Sequence, residues 1–160
     1  MPIENLKFRI ELYSTYWQSP PFVDVKVNDT SYYTGKITSS IDKPTIIEFT
    51  APCEEGKEYT LKIVRSNKGA RDTVLDHDKK IIKDQLLNIK NIQIDDIDID
   101  ALIFEGEYRP DYPEPWYSQQ VEIGKTPPNS FKNVTAMGHN GTWQLKFQSP
   151  FYMWLLENLY

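Results

Sequence analysis

Cysteine is almost missing from this chain. Cys53 stands alone among 160 residues, which excludes an internal disulfide and a cysteine-built zinc site. Histidine is nearly as scarce: His77 and His139 are the only two, so a multi-histidine metal centre is excluded as well. The seven glycines form no phosphate-cradling fingerprint, which removes the nucleotide-loop classes. No apolar run approaches the ~20 residues a bilayer demands. Met1–Lys7 has neither the basic segment nor the apolar stretch of a secretory leader. Neither membrane insertion nor secretion is expected. Positive charge is in deficit, with 18 Lys and Arg against 23 Asp and Glu and a net charge of -5. Phosphate backbones are held by basic faces, so nucleic acid is not an expected partner.

Aromatic residues are plentiful, at 13% with four Trp and ten Tyr. Side chains of that size fill a core, line a binding surface or bury an interface. The length suits about one domain, and a mean hydropathy of -0.56 with 39% hydrophobic residues suits a folded chain without membrane spans.

Hydrophobic spacing points to strands through the first two thirds. Phe8, Ile10 and Leu12 alternate with Lys7, Arg9 and Glu11, the period of a strand with one buried face. Val23, Val25 and Val27 repeat the pattern, and Asn28-Asp29 supplies turn chemistry before Tyr32-Tyr33-Thr34, predicting a hairpin. Ile46–Phe49 is a further short strand, expected to close at Pro52, and Lys57–Val64 alternates again. In Leu86–Asp95 the phase slips between Ile89 and Ile92, which predicts a bulge or twist. Val74–Ile89 is expected to be a long loop leading into this strand. The fold class is mainly β, an antiparallel β-sandwich of jelly-roll type.

After residue 100 the composition shifts. Pro110, Pro113 and Pro115 punctuate an aromatic stretch at Tyr108–Tyr117, with Pro127 and Pro128 further on, and the stretch is predicted as an extended arm or ordered loop. A strand is expected at Thr142–Gln148 after the Asn140-Gly141 turn. The one expected helix is Phe151–Leu159, with Ser149 as cap and Pro150 at its first position. The division is thus a sandwich over 1–100 and, over 101–160, an arm, strand and short helix that pack on the sandwich or on a partner.

No grouping marks a catalytic nucleophile, and no carboxylate pair is singled out for glycoside hydrolysis; an enzyme is not expected. The acidic loop from Asn67 to Asp84 offers Asp72, Asp76, Asp78 and Asp84 as metal candidates, oxygen donors of the kind calcium gathers six to eight of. Solvated loop acids explain the same residues. Asp95, Asp96, Asp98 and Asp100 alternate with isoleucines as the wet face of a strand would. Tyr16, Trp17, Tyr32 and Tyr33 sit near expected strand or loop ends and are the glycan-binding candidates, with core packing the alternative. Partner-interface candidates are Tyr108, Tyr112, Trp116 and Tyr117 in the arm and Phe151, Met153 and Trp154 in the tail. Packing against the chain's own sandwich is again the alternative.

Two resemblances attach to these residues. Phe8–Tyr13, Tyr16-Trp17, Pro21–Asp29, Glu55–Ile63, the loop Asn67–Asp84 and Asp84–Ile89 together resemble a calcium-dependent xylan-binding carbohydrate-binding module. Gln85 stands where that family has Arg, Lys68 follows Asn67 where it has Asp, and its final Asp is Asn88 or missing. The resemblance implies calcium as a cofactor and polysaccharide as a ligand. Glu4–Phe8 and Asn140–Leu159 are similar to small uncharacterised proteins of T4-like marine tailed bacteriophages. This implies a virion setting, with assembly in a bacterial cytoplasm. Jointly they lead to the expectation of a non-enzymatic accessory protein of a phage particle that docks on other virion proteins or on itself and presents sandwich loops to host-surface glycans. The alternative is a free or enzyme-associated calcium-dependent carbohydrate-binding module.

Overall fold

The computed structural model describes residues 2–159, apart from the side chains of Asp100, Ala101 and Leu159. In chain order come β1 (Ile3–Thr15), β2 (Phe22–Val27), β3 (Thr30–Lys36), β4 (Thr45–Glu54), β5 (Glu58–Ser66), β6 (Val74–Leu75), β7 (Ile81–Lys83), β8 (Leu86–Ile94) and β9 (Ile97–Asp98). A short 3-10 helix, Asp100–Glu105, leads to β10 (Glu107–Pro110), α1 (Trp116–Glu122), β11 (Phe131–Lys132), β12 (Ala136–Met137), β13 (Gly141–Gln148) and α2 (Phe151–Leu159).

Two antiparallel sheets pack face to face as a sandwich. One runs β12-β8-β1-β4, with β9 also on β8; the other runs β11-β10-β13-β5-β2-β3. The alternation seen in the sequence is the alternation of burial. Leu6, Phe8, Ile10 and Leu12 of β1 face Val23, Val25 and Val27 of β2, Leu61 and Ile63 of β5, and Trp143, Leu145 and Phe147 of β13 across one core. Burying each such aliphatic side chain contributes roughly 1.5–3 kcal/mol. The slip between Ile89 and Ile92 is a bulge: Glu11 pairs with Asn91 and Leu12 with Ile89, leaving Lys90 over.

An aromatic ladder ties the layers together. Tyr32 stacks on Phe49 at 4.7 Å, Phe49 on Phe8 at 4.9 Å, and Phe8 meets Phe147, which contacts Phe151 of α2. In β3 the pairing steps from Val25–Tyr33 to Lys26–Ser31, so Tyr32 is the extra residue of a bulge. That step lets both Tyr32 and its neighbour Tyr33 pack against the core.

Several expectations are corrected. β4 runs through Pro52 to Glu54, because β4 is an edge strand whose single partner is β1 and no ladder bond needs the missing N–H. The 74–89 loop contains the β6–β7 hairpin. The 108–117 arm is the short strand β10, paired between β11 and β13, followed by a turn and the start of α1. β13 lies centrally in its sheet, between β10 and β5, so residues beyond 100 build the sandwich itself. At α2, Glu4 of β1 does the capping expected of Ser149: its Oε2 accepts from the Ser149 hydroxyl at 2.6 Å and from the Phe151 amide at 3.0 Å. Asp95 and Asp96, at φ 51° and 62°, form the tight turn between β8 and β9. Asp98 accepts from the Asn91 amide, and the side chain of Asp100 lies outside the described residues.

Candidate functional site

A cleft of about 620 Å³ opens where three stretches of chain meet beyond the end of the sandwich. One wall is the loop between β5 and β8, which supplies Lys68, Thr73, Leu75, Ile81 and Asp84; the opposite wall is the turn into α1, with Asp111, Tyr112 and Trp116; His139 and Asn140 close the floor. Tyr112 is the centre of an aromatic cluster: its ring lies 5.6 Å from Trp116, 5.8 Å from Tyr117 with nearly parallel planes, and 5.0 Å edge-on from His139. Trp116 packs on Tyr112 and on His139, 5.7 Å away, and stays 38% exposed. Pro113 and Pro115 set this turn, and the seven-residue α1 that follows buries none of its residues.

The polar side of the cleft is an ion pair. Lys68 Nζ lies 2.8 Å from Asp84 Oδ1 and also donates to the Gly138 carbonyl. Asp84 Oδ1 accepts further bonds from the Thr73 hydroxyl at 2.7 Å and the Gln85 amide at 2.8 Å. Burial works to raise the Asp84 pKa, but the bonds from Lys68, Thr73 and the Gln85 N–H outweigh it and hold the carboxyl below the usual value. His139 is pushed below an ordinary imidazole, first by burial and then by the nearby Lys68 and Arg65 charges, with Asp84 opposing.

Beneath the cleft sits Arg65, 1% exposed. Its guanidinium donates to the Gln85 carbonyl and side-chain oxygens at 2.9 and 2.5 Å, and to Asn140 Oδ1 at 3.0 Å. Gln85 turns its Nε2 to the Ser19 and Asn67 carbonyls, so one buried amide joins three loops. Asn140 similarly holds both the amide and the carbonyl of Lys68. These bonds fix the loops that carry the cleft's side chains.

The four metal candidates are not brought together. Asp72 is 3% exposed and its carboxylate is filled by Gln18, Ser19 and the Gly69 amide. Asp76 Oδ1 accepts from the Asp78 and Lys80 amides, closing the β6–β7 turn, and Asp78 is exposed beside His77. Among the described residues, no three His, Cys, Asp or Glu gather as a metal group. Calcium requires six to eight oxygens around one point. Asp84, committed to an ammonium, and Asp72, committed to loop donors, do not fit it.

The glycan candidates divide. Tyr32 and Tyr33 are core-packed, as their bulge dictates. Tyr16 and Trp17 are both exposed, at 38% and 43%, outside the cleft; Trp17 donates its indole N–H to the Asp72 carbonyl at 2.9 Å, with Lys83 Nζ 4.6 Å from the ring centre. Of the interface candidates, Tyr108 is buried, stacked on Phe131 and bonded to His139; burial first pushes its hydroxyl pKa up to about 12, against the His139 bond and the Arg65 charge. Phe151 is buried and Trp154 packs on Phe147. The chain's own core therefore takes these three, since strand β13 and Glu4 hold them against it. Met153 is exposed with Tyr152 and Leu156 on the outer face of α2. Burial, with Glu4 and Asp95 nearby, pushes the Cys53 thiol up to about 11, which keeps it protonated and unreactive. His139, Lys68 and Asn140 escaped notice in the sequence as cleft residues, and only the Asn140-Gly141 turn flagged their neighbourhood.

No family model matches the sequence, and no curated protein does. Among solved structures, the chain is similar to vCBM60 in complex with galactobiose, with a TM-score of 0.51 and 10% identity over 87% of this chain and 96% of that one. It is equally similar to a selenomethionine form of vCBM60, from work on circular permutation linking two families of calcium-dependent carbohydrate binding modules, at a TM-score of 0.50 and 10% identity over 88% and 89%. At this identity the likeness establishes the fold: two antiparallel sheets in a sandwich with two short helices, built like a carbohydrate-binding module.

Proposed function

We propose that this chain is a non-catalytic glycan-binding module that takes a sugar chain in the cleft between the 68–84 loop and α1. The observation that carries the reading is the cleft's composition: the clustered rings of Tyr112 and Trp116, the latter 38% exposed, line it together with a small set of polar groups at Lys68, Asp84 and Asn140. Pyranose rings bury their C–H faces on aromatic planes, and their hydroxyls require nearby donors and acceptors. Likeness in fold to vCBM60, seen with galactobiose, supports the same reading. The test is retention on immobilised galactan and xylan. Trp116→Ala is expected to weaken retention about tenfold, a loss of ~1.4 kcal/mol, with the sandwich still folded because no residue of α1 belongs to the buried core. Wild-type protein that passes every polysaccharide unretarded overturns the proposal.

A second reading places the module on a phage particle, docked through α2. The outward residues Tyr152, Met153 and Leu156, 59%, 60% and 44% exposed, form an apolar face without a covering element among the described residues, which supports docking there, while the virion setting rests on the sequence resemblance alone. Mass spectrometry of purified virions tests this setting; the chain's absence from particles rejects it.

A further inference from the structure

We infer that the cleft binds a neutral sugar chain directly, without a calcium bridge, using the Lys68–Asp84 pair as its polar anchor. The inference rests on the glycan reading above and deepens it. An ammonium already occupies the position next to the cleft carboxylate: Lys68 and Asp84 side chains are 11% and 17% exposed and 2.8 Å apart. A divalent cation entering there meets a fixed positive charge that the Gly138 carbonyl also holds in place. All three bonds to Asp84 fall on Oδ1, from Lys68, Thr73 and the Gln85 amide, which leaves Oδ2 as an acceptor for a hydroxyl. Lys68 in turn has donor capacity beyond Asp84 and Gly138, since an ammonium carries three N–H groups. Sugar hydroxyls both donate and accept, so a donor and an acceptor side by side suit them. Charge decides the class of sugar. Asp84 cancels Lys68, Asp111 adds a carboxylate to the facing wall, and His139 is depressed toward its neutral form, so no spare cation remains for a uronate or sulfate ester.

The experiment has two arms on the intact chain and one on a variant. Melting temperature is measured in calcium chloride and in excess EDTA: equal values are expected, and a calcium-dependent rise overturns the inference. Retention is measured on neutral galactan and xylan and on polygalacturonate, in both buffers. Equal retention on a neutral polymer with and without calcium, and none on polygalacturonate, is the expected result. Retention that requires calcium, or that favours polygalacturonate, overturns the inference while leaving glycan binding intact. Failure to retain any polymer in either buffer overturns the glycan reading itself. The double variant Lys68→Met/Asp84→Leu removes both charges together, so neither is stranded. Its retention is expected to fall at least about tenfold in a chain that still melts cooperatively, though earlier, since Thr73 and the Gln85 amide lose their acceptor; unchanged retention overturns the anchor role, and if the variant does not fold, the two wild-type arms decide.

Discussion

Arg65 and Gln85 form the buried hub under the cleft: a guanidinium 1% exposed donates to both oxygens of a glutamine that is itself fully buried. No carboxylate contacts this charge among the described residues, and its Nε lacks a partner. Neutral amides hold it, and the charges of Tyr108, Asp84 and Asp72, out of contact, offset part of its desolvation. Hydrogen bonds to charged groups are worth roughly 1.5–3 kcal/mol, so Gln85→Ala is expected to lose at least about 2 kcal/mol in urea denaturation. Gln85→Glu, which supplies a counter-charge, is expected to lose less. A Gln85→Ala midpoint equal to wild type contradicts the hub.

Gly106 is reserved by space. Its backbone is ordinary, at φ -61°, but an added Cβ would lie 2.3 Å from the Trp143 ring. Trp143 is fully buried in β13 and has no route to retreat. Overpacking of this kind costs typically 1–3 kcal/mol. Gly106→Ala should melt earlier and shift Trp143 emission to the red; an unshifted melting curve shows that the ring has room.

Acid acts in two stages. His139 has a depressed pKa, so the unfolded chain binds its proton first, and stability falls as pH drops below the ordinary 6.5. Asp84 is also depressed; the stability of its pair is full above the usual 3.8 and is lost as pH falls through the lower folded value. Both effects weaken the fold toward acid. Chemical denaturation across pH should show the first decline vanish in His139→Gln and persist in His77→Gln, whose site is exposed.

The α2 helix is capped from the far end of the chain. Glu4 accepts from Ser149 and from the Phe151 amide, which joins β1 to the last helix. Loss of a capping group costs typically about 1 kcal/mol. Glu4→Ala should destabilise the protein by that amount and raise hydrogen exchange at Phe151 above that of the sheet. Equal protection in the variant removes the cap from the account.

The strands were legible because a pleated layer with one dry face stamps its period on the residues: Phe8, Ile10, Leu12 and Val23, Val25, Val27 are buried as they alternate. The bulge near Lys90 was legible for the same reason, as a break in that period. Proline misled twice. Pro52 was compatible with a strand because it sits at a sheet edge, and the prolines before Trp116 bend the chain into a helix rather than extending it. At Tyr32 and Tyr33 the core-packing alternative is the one seen, and a bulge places both against the core where strand alternation would seat only one.

By itself, the sequence determined that two layers of strands share one aliphatic core, because burial period is a property of local spacing. It equally ruled out an internal disulfide and a multi-histidine metal centre, because those need more Cys or His than the chain holds, and phosphate loops, because its seven glycines fall in no fingerprint. Only the tertiary structure decided where the cleft lies. Lys68, Asp84, Trp116 and His139 come from separate turns, and which turns meet depends on how β13 enters its sheet between β10 and β5. The same step decided that Asp84 faces an ammonium rather than other carboxylates, since spacing along a chain specifies a residue's face but not its neighbour across space.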